Sequence, residues 1–202
     1  QINSLYPKTE QMSAMPTRRT GNSYAHQHRR LFSLSSSSFA ELTLHQQAFW
    51  QDFQSYVQKM GPDLMAALPR PVENQKMLTI PPSEMRFRID LWSDRGGYQI
   101  TPHTDAPHKL ATFLLYCSSD PSLHAEGTSV FRPLEPGFKC WAGKQWPFDQ
   151  FEEVYRAPYA ANSMFGFRKT DCSFHGKLPV SDSVSYRRTI AITVQTKENF
   201  IG

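Results

Sequence analysis

The hydrophobic pattern of the chain changes period near residue 84. From Glu84 to Trp92, Met85, Phe87, Ile89 and Leu91 share one face and Arg86, Arg88 and Asp90 the other, which is the alternation of a half-buried strand. Further apolar runs at 97–103, 110–117, 128–132, 163–168, 172–176 and 186–195, separated by Gly, Pro, Ser and Asp clusters, predict more strands. Upstream the period is helical. Thr43 followed by Gln46 forms a capping box, after which Leu44, Ala48, Phe49, Phe53, Tyr56, Val57 and Met60 recur at steps of three and four. Gly61 and Pro62 read as the stop of this helix, with a short second helix at 63–68 before the break at Pro69 and Pro71. Residues 1–38 are polar and end in a serine run, so they predict an irregular arm with one short strand near Leu31 and Phe32.

A helical segment followed by about eight strands, with no helix between successive strands, is the pattern of a mainly β jelly roll or barrel rather than of a parallel sheet. Composition agrees: 13% aromatic residues, 15 prolines and 10 glycines in 202 residues suit short strands joined by punctuated loops. The length predicts one folded domain at 39–202, with helices at 44–68, preceded by the arm at 1–38.

Charge changes the picture mainly by its placement. The arm holds Lys8, Arg18, Arg19, Arg29 and Arg30 against Glu10 alone, which accounts for the whole net charge of +4. The remainder is neutral, with 17 basic and 17 acidic side chains, which argues against a nucleic-acid-binding face. Cys117, Cys140 and Cys172 form no CxxC pair, so neither a disulfide framework nor a zinc ribbon is expected, and a reducing, cytoplasmic setting is the default. No apolar run approaches the roughly 18 to 20 residues of a membrane span. The first residue is Gln1 rather than Met, which leaves a removed leader open. No feature of the sequence fixes an oligomeric state.

The candidate chemistry lies in PHTDAP, residues 102–107. Side chains two apart on a strand point to one face, so His103 and Asp105 can reach a common point, and a barrel can bring His175 opposite them. Two imidazoles and a carboxylate on one side of a metal make the facial triad that suits non-haem Fe(II) and leaves positions open for reactants. A chelating 2-oxo acid would use two of those positions and would need a cation for its far carboxylate, a task for which the arginine fork is suited. In SYRRTIAITVQ, Arg187 shares a face with Thr189, Ala191 and Thr193, whereas Arg188 shares one with Ile190, Ile192 and Val194. The small, polar face leaves room for the acid, which favours Arg187.

Taken together, His103-x-Asp105, His175 and Arg187-x-Thr189, twelve residues past that histidine, resemble the Fe(II)/2-oxoglutarate-dependent dioxygenases. ATFLLYCSSD followed by EGTSVF is similar to the strand pair that prolyl-hydroxylase-like members place after their HxD. The resemblance spans residues 84–195. It implies a double-stranded β-helix, of jelly-roll or cupin-like form, whose larger sheet is buttressed by the helices at 44–68. It also implies Fe(II) held by His103, Asp105 and His175, with 2-oxoglutarate and O2 as co-substrates. Tyr116 would hydrogen-bond the C5 carboxylate of 2-oxoglutarate beside Arg187 and Thr189, and Thr112 and Leu114 would line the pocket. The first glycine of the family's GGxT turn is replaced around Glu126 to Thr128, and the interval from His175 to Arg187 is longer than in many prolyl hydroxylases.

The implied reaction is hydroxylation of an unactivated C–H bond in a small molecule, or in an amino-acid side chain of a peptide, coupled to decarboxylation of 2-oxoglutarate to succinate. RGGYQ at 95–99 and the aromatic insertion at 140–155 are the expected substrate contacts, with Trp141, Trp146 and Phe148 read either as a lid or as core aromatics under a long loop. Two alternatives stand beside this. YQITPHTD resembles the metal strand of AlkB-type nucleic-acid demethylases, although the chain lacks their second arginine and a phosphate-binding face. A non-catalytic jelly roll with a structural ion is the other, although structural zinc normally takes four protein ligands.

Overall fold

The computed structural model describes residues 2–14, 27–35, 37–118 and 120–196. Among the described residues two α-helices, α1 (Ile2–Leu5) and α2 (Leu44–Ala67), accompany ten strands. These are β1 (Ser13–Ala14), β2 (Arg29–Ser33), β3 (Met85–Asp94), β4 (Ile100–His103), β5 (Lys109–Tyr116), β6 (Ser129–Pro133), β7 (Phe151–Arg156), β8 (Met164–Arg168), β9 (His175–Lys177) and β10 (Arg187–Thr196). They form a six-stranded sheet in the order β1-β2-β3-β10-β5-β8 and a four-stranded sheet in the order β4-β9-β6-β7. Every pairing is antiparallel.

The alternation read in β3 and β10 sorts their side chains as expected. Ile89, Leu91, Ile190, Ile192 and Val194 turn toward α2 and join Trp50, Val57 and Met65 in the main core. Ala191 turns the other way, into a smaller cluster with Leu114, Tyr116, Ala157 and Tyr159. The helix therefore buttresses one face of the large sheet and leaves the opposite face to line the interior. No helix among the described residues is long and apolar enough to cross a membrane.

Three features differ from the sequence reading. The helix does not stop at Gly61 and Pro62 but runs unbroken to Ala67, with no separate helix at 63–68. Pro62 removes one backbone donor, yet packing of Val57, Gly61 and Met65 carries the helix through it. Gly61 is there for close approach: a Cβ at this position would sit 2.0 Å from Cζ of Phe87. The buried stripe is also rotated, being Gln46, Trp50, Val57, Gly61 and Met65, while Leu44 and Tyr56 are 83% and 61% exposed. Finally, β7 lies inside the segment read as an aromatic loop.

The described parts of the N-terminal stretch are built into the large sheet. β2, at the expected Leu31 and Phe32, pairs with β3, and β1 pairs with β2. Tyr6 is buried and donates to the Trp92 and Thr189 carbonyls at 2.7 and 2.9 Å. Arg18 and Arg19 lie outside the described residues.

Candidate metal centre

His103 ends β4 and His175 begins β9, and the two are Cα partners across that antiparallel pair. Cross-strand partners stand close, and their ring centroids are 4.4 Å apart. Asp105 follows on the chain just past β4, and the ligand atoms offered by His103, Asp105 and His175 all lie within 4.8 Å of one another. The three residues that the sequence spaced 70 positions apart thus converge.

Each imidazole is oriented by its own backbone. Nδ1 of His103 is 2.9 Å from the Thr101 carbonyl, and Nδ1 of His175 is 2.9 Å from the Ser173 carbonyl. A carbonyl only accepts, so both Nδ1 atoms carry the proton and both Nε2 lone pairs are left for a metal. Burial, with His175 beside it, lowers the His103 pKa to about 3, and burial lowers that of His175 as well. Both rings are therefore neutral at physiological pH, the state a metal ligand needs. Burial would raise the Asp105 carboxyl, but the Lys109 ammonium outweighs it and holds the carboxyl below the usual carboxylate range. Lys109 Nζ donates to Asp105 Oδ1 at 2.6 Å, and Thr112 Oγ1 donates to Oδ2 at 2.6 Å. A donor set of two imidazole nitrogens and one ionised carboxylate fits Fe(II).

Arg187 points inward, as its strand face required, and is 2% exposed. Its Nη1 donates to Asp94 Oδ2 at 2.8 Å and its Nε to the Glu126 carbonyl at 2.5 Å. Its guanidinium lies over the rings of Tyr159 and Tyr116, at 5.0 and 5.6 Å. Arg188 turns outward and donates to the Asn3 carbonyl at 3.1 Å. Thr189 is fully buried beside Arg187, and its Oγ1 has no hydrogen-bond partner among the described residues.

The remaining candidate pocket residues have partners of their own within the protein. The Tyr116 hydroxyl donates to Thr128 Oγ1 at 2.9 Å and accepts from the Thr128 amide at 3.1 Å, so its own proton is already committed. Thr112 faces Asp105 rather than an acid pocket, and Leu114 belongs to the apolar wall with Tyr116 and Ala191. The loop expected to act as a lid is fastened to β4. The Trp146 amide donates to the Pro102 carbonyl at 2.9 Å, and Thr101 Oγ1 donates to Gln145 Oε1 at 3.3 Å. Trp141 is held beneath Lys169 and Lys76, at 4.0 and 4.7 Å from its ring centre, and Phe148 packs on the Phe131, Phe151 and Phe174 cluster.

Several buried charges escaped the sequence reading. Asp94 is 0% exposed and binds two arginines, with Arg29 reaching it at 2.5 and 2.9 Å through Nε and Nη2. Arg29, Asp94 and Arg187 are Cα partners along one rung of β2, β3 and β10. The Arg29 guanidinium lies between the Trp92 and Tyr98 rings, at 3.9 and 4.1 Å. Lys177, two positions past His175 and 4% exposed, pairs with Glu126 Oε2 at 2.9 Å. Strand alternation was the available signal for Lys177; nothing local marked Asp94. Arg29, Arg187 and Lys177 are thus buried cations, each held against an acidic partner.

No protein-family model matches the chain, and no curated protein matches it in sequence. Among solved structures, it is similar to a prolyl hydroxylase from Trichoplax adhaerens in complex with a peptide fragment of the hypoxia-inducible factor oxygen degradation domain. That similarity has a TM-score of 0.53 at 12% identity, over 92% of this chain and 70% of that one. A prolyl-4-hydroxylase from Pseudomonas putida matches at TM-score 0.43 and 11% identity, over 84% of this chain and 72% of that chain. HygX from Streptomyces hygroscopicus, with nickel and 2-oxoglutarate bound, matches at TM-score 0.45 and 9% identity, over 85% and 71%. In its two antiparallel sheets, with the helix packed outside the larger one, the chain has the double-stranded β-helix fold of the Trichoplax enzyme.

Proposed function

We propose that the protein is a non-haem Fe(II)- and 2-oxoglutarate-dependent oxygenase that hydroxylates an unactivated C–H bond of a small molecule or of an amino-acid side chain in a peptide. The observation that carries this reading is the convergence of His103, Asp105 and His175, with both Nδ1 atoms tied to carbonyls and both Nε2 atoms left for a metal. Those three residues would hold the iron. When bound, an iron(II) ion supplies the redox chemistry that couples oxidative decarboxylation of 2-oxoglutarate to reduction of O2.

The chain's own side chains supply position, charge and dryness. Thr112 and Lys109 hold the Asp105 carboxylate in one orientation. Arg187 presents a permanent cation on the inward face of β10 and seats the far carboxylate of the co-substrate, with the unpartnered Thr189 hydroxyl beside it. Leu114, Tyr116, Ala191 and Tyr159 form a packed wall that keeps water away from the acid. Phe167, with its ring centre 4.2 Å from that of His175, closes the metal centre on the β8 side.

The test is succinate formation from 2-oxoglutarate by purified protein supplied with Fe(II) and O2. Slow turnover without a primary substrate, stopped by a chelator and accelerated by one member of a panel of amino acids, peptides and small metabolites, is the expected result. Metal binding with no turnover under any of these conditions would leave a non-catalytic jelly roll.

A further inference from the structure

Lys177 raises a question that the metal centre does not answer. It lies on β9 two positions from His175, so the two side chains share a strand face and sit roughly 7 Å apart along it. That is the reach of a five-carbon diacid chelated at the metal by its 2-oxo end. Lysine is almost never buried without compensation. Here Nζ pairs with Glu126 Oε2 at 2.9 Å and donates to the Leu178 carbonyl at 2.8 Å.

Glu126 serves Arg187 as well, accepting from its Nε through the main-chain carbonyl at 2.5 Å. One residue therefore holds together a cation from each sheet. The ionisable groups linked through these contacts are Arg29, Arg187 and Lys177 against Asp94 and Glu126, and Asp94 is already shared by the two arginines. The nearby Arg156 and Glu153 compensate each other at 2.7 Å. This cluster is left with one positive charge in excess, and the Thr189 hydroxyl on the Arg187 face has no hydrogen-bond partner among the described residues. An entering carboxylate would meet both needs.

We propose that Lys177 is a specificity residue for the co-substrate, forming with Arg187 a seat of two cations that admits a 2-oxo acid strongly only when it carries a second carboxylate. This rests on the oxygenase reading. Arg187 fixes the carboxylate through a planar fork, and Lys177 approaches it from β9 as a point charge. Glu126 competes with the acid for Lys177 and sets how tightly the acid is held.

The experiment is anaerobic titration calorimetry of Mn(II)-loaded protein with 2-oxoglutarate and with 2-oxobutyrate, which lacks the far carboxylate. Wild-type protein should prefer 2-oxoglutarate. Lys177→Met should lower 2-oxoglutarate affinity by about tenfold or more while leaving 2-oxobutyrate unchanged, and Lys177→Arg should restore most of the loss. Glu126→Gln, which keeps the shape but removes the competing charge, should tighten 2-oxoglutarate binding. If Lys177→Met keeps the wild-type preference while Arg187→Met loses it, the role of Lys177 is overturned and the oxygenase reading stands. If the wild-type protein shows no preference, both fall. Should Lys177→Met fail to fold, unchanged or weaker 2-oxoglutarate binding in Glu126→Gln overturns the proposal by itself.

Discussion

Thr112 Oγ1 lies 2.6 Å from Oδ2 of Asp105, a bond from the middle of β5 back to the turn that follows β4. Asp105 is 6% exposed, so its carboxylate has little water to orient it and depends on this hydroxyl and on Lys109. Partners of a metal-binding carboxylate typically contribute 10- to 100-fold in affinity. Thr112→Val should therefore weaken Fe(II) or Mn(II) binding by about tenfold or more without a change in fold, and Thr112→Ser should restore it. Competition with a fluorescent chelator measures this. Equal affinity in the valine variant would mean that Lys109 alone holds the carboxylate.

Removing the carboxylate altogether separates catalysis from architecture. Asp105→Ala should abolish succinate formation while circular dichroism and Tm stay near wild type, because the cores around Trp50 and Phe131 do not include it. A collapse of the melting transition in this variant would point to a structural ion instead.

Asp94 is the acid on which two buried arginines depend. Asp94→Asn should destabilise the fold by about 3 to 5 kcal/mol, since it leaves Arg29 and Arg187 buried without their counter-charge. Arg29→Met should cost less, because Asp94 keeps Arg187. Urea denaturation of both variants checks the order; a smaller loss for Asp94→Asn than for Arg29→Met contradicts it.

Lys169 carries a pH signature. It is 1% exposed, contacts the Thr104 hydroxyl and the Thr170 carbonyl at 3.3 and 3.0 Å, and has its pKa lowered by burial to about 8. A lysine whose folded pKa lies below its unfolded value disfavours the fold while both states are protonated, and the penalty fades as pH rises from about 8 toward 10.5. Stability should therefore rise across that interval. Lys169→Met should stabilise the protein at pH 7 by about 1 to 3 kcal/mol and flatten the rise, read from urea midpoints across pH.

What the sequence discloses depends on whether the cause is local. His103 and Asp105 share a face through a two-residue step, and the choice of Arg187 over Arg188 follows from alternation along one strand. His175 is less local: no short-range rule ties it to Asp105, 70 residues earlier, and only closure of a barrel brings it opposite. Thr112 carried no sign of its partner because its bond to Asp105 arises from how β5 returns past the turn. Asp94 is harder still: its partners are 65 and 93 residues distant, joined by sheet register. The helix face was misjudged at Tyr56 because spacing alone does not tell a wide aromatic stripe from the narrower one centred on Trp50 and Gly61. β7 escaped notice because Val154 and Tyr155 face outward, at 47% and 52% exposed, so its pattern lacks a clean buried register.

The rung formed by Arg29, Asp94 and Arg187 has a practical consequence for anyone excising residues 39–202. A cut at residue 39, where composition invites one, would remove β2 and strip Asp94 of one of its two guanidiniums, leaving the other to redistribute its bonds. The shortened product would retain His103, Asp105, His175 and the whole of α2. Arg187 would nevertheless sit among different partners, and a binding assay on the shortened product would misrepresent the parent.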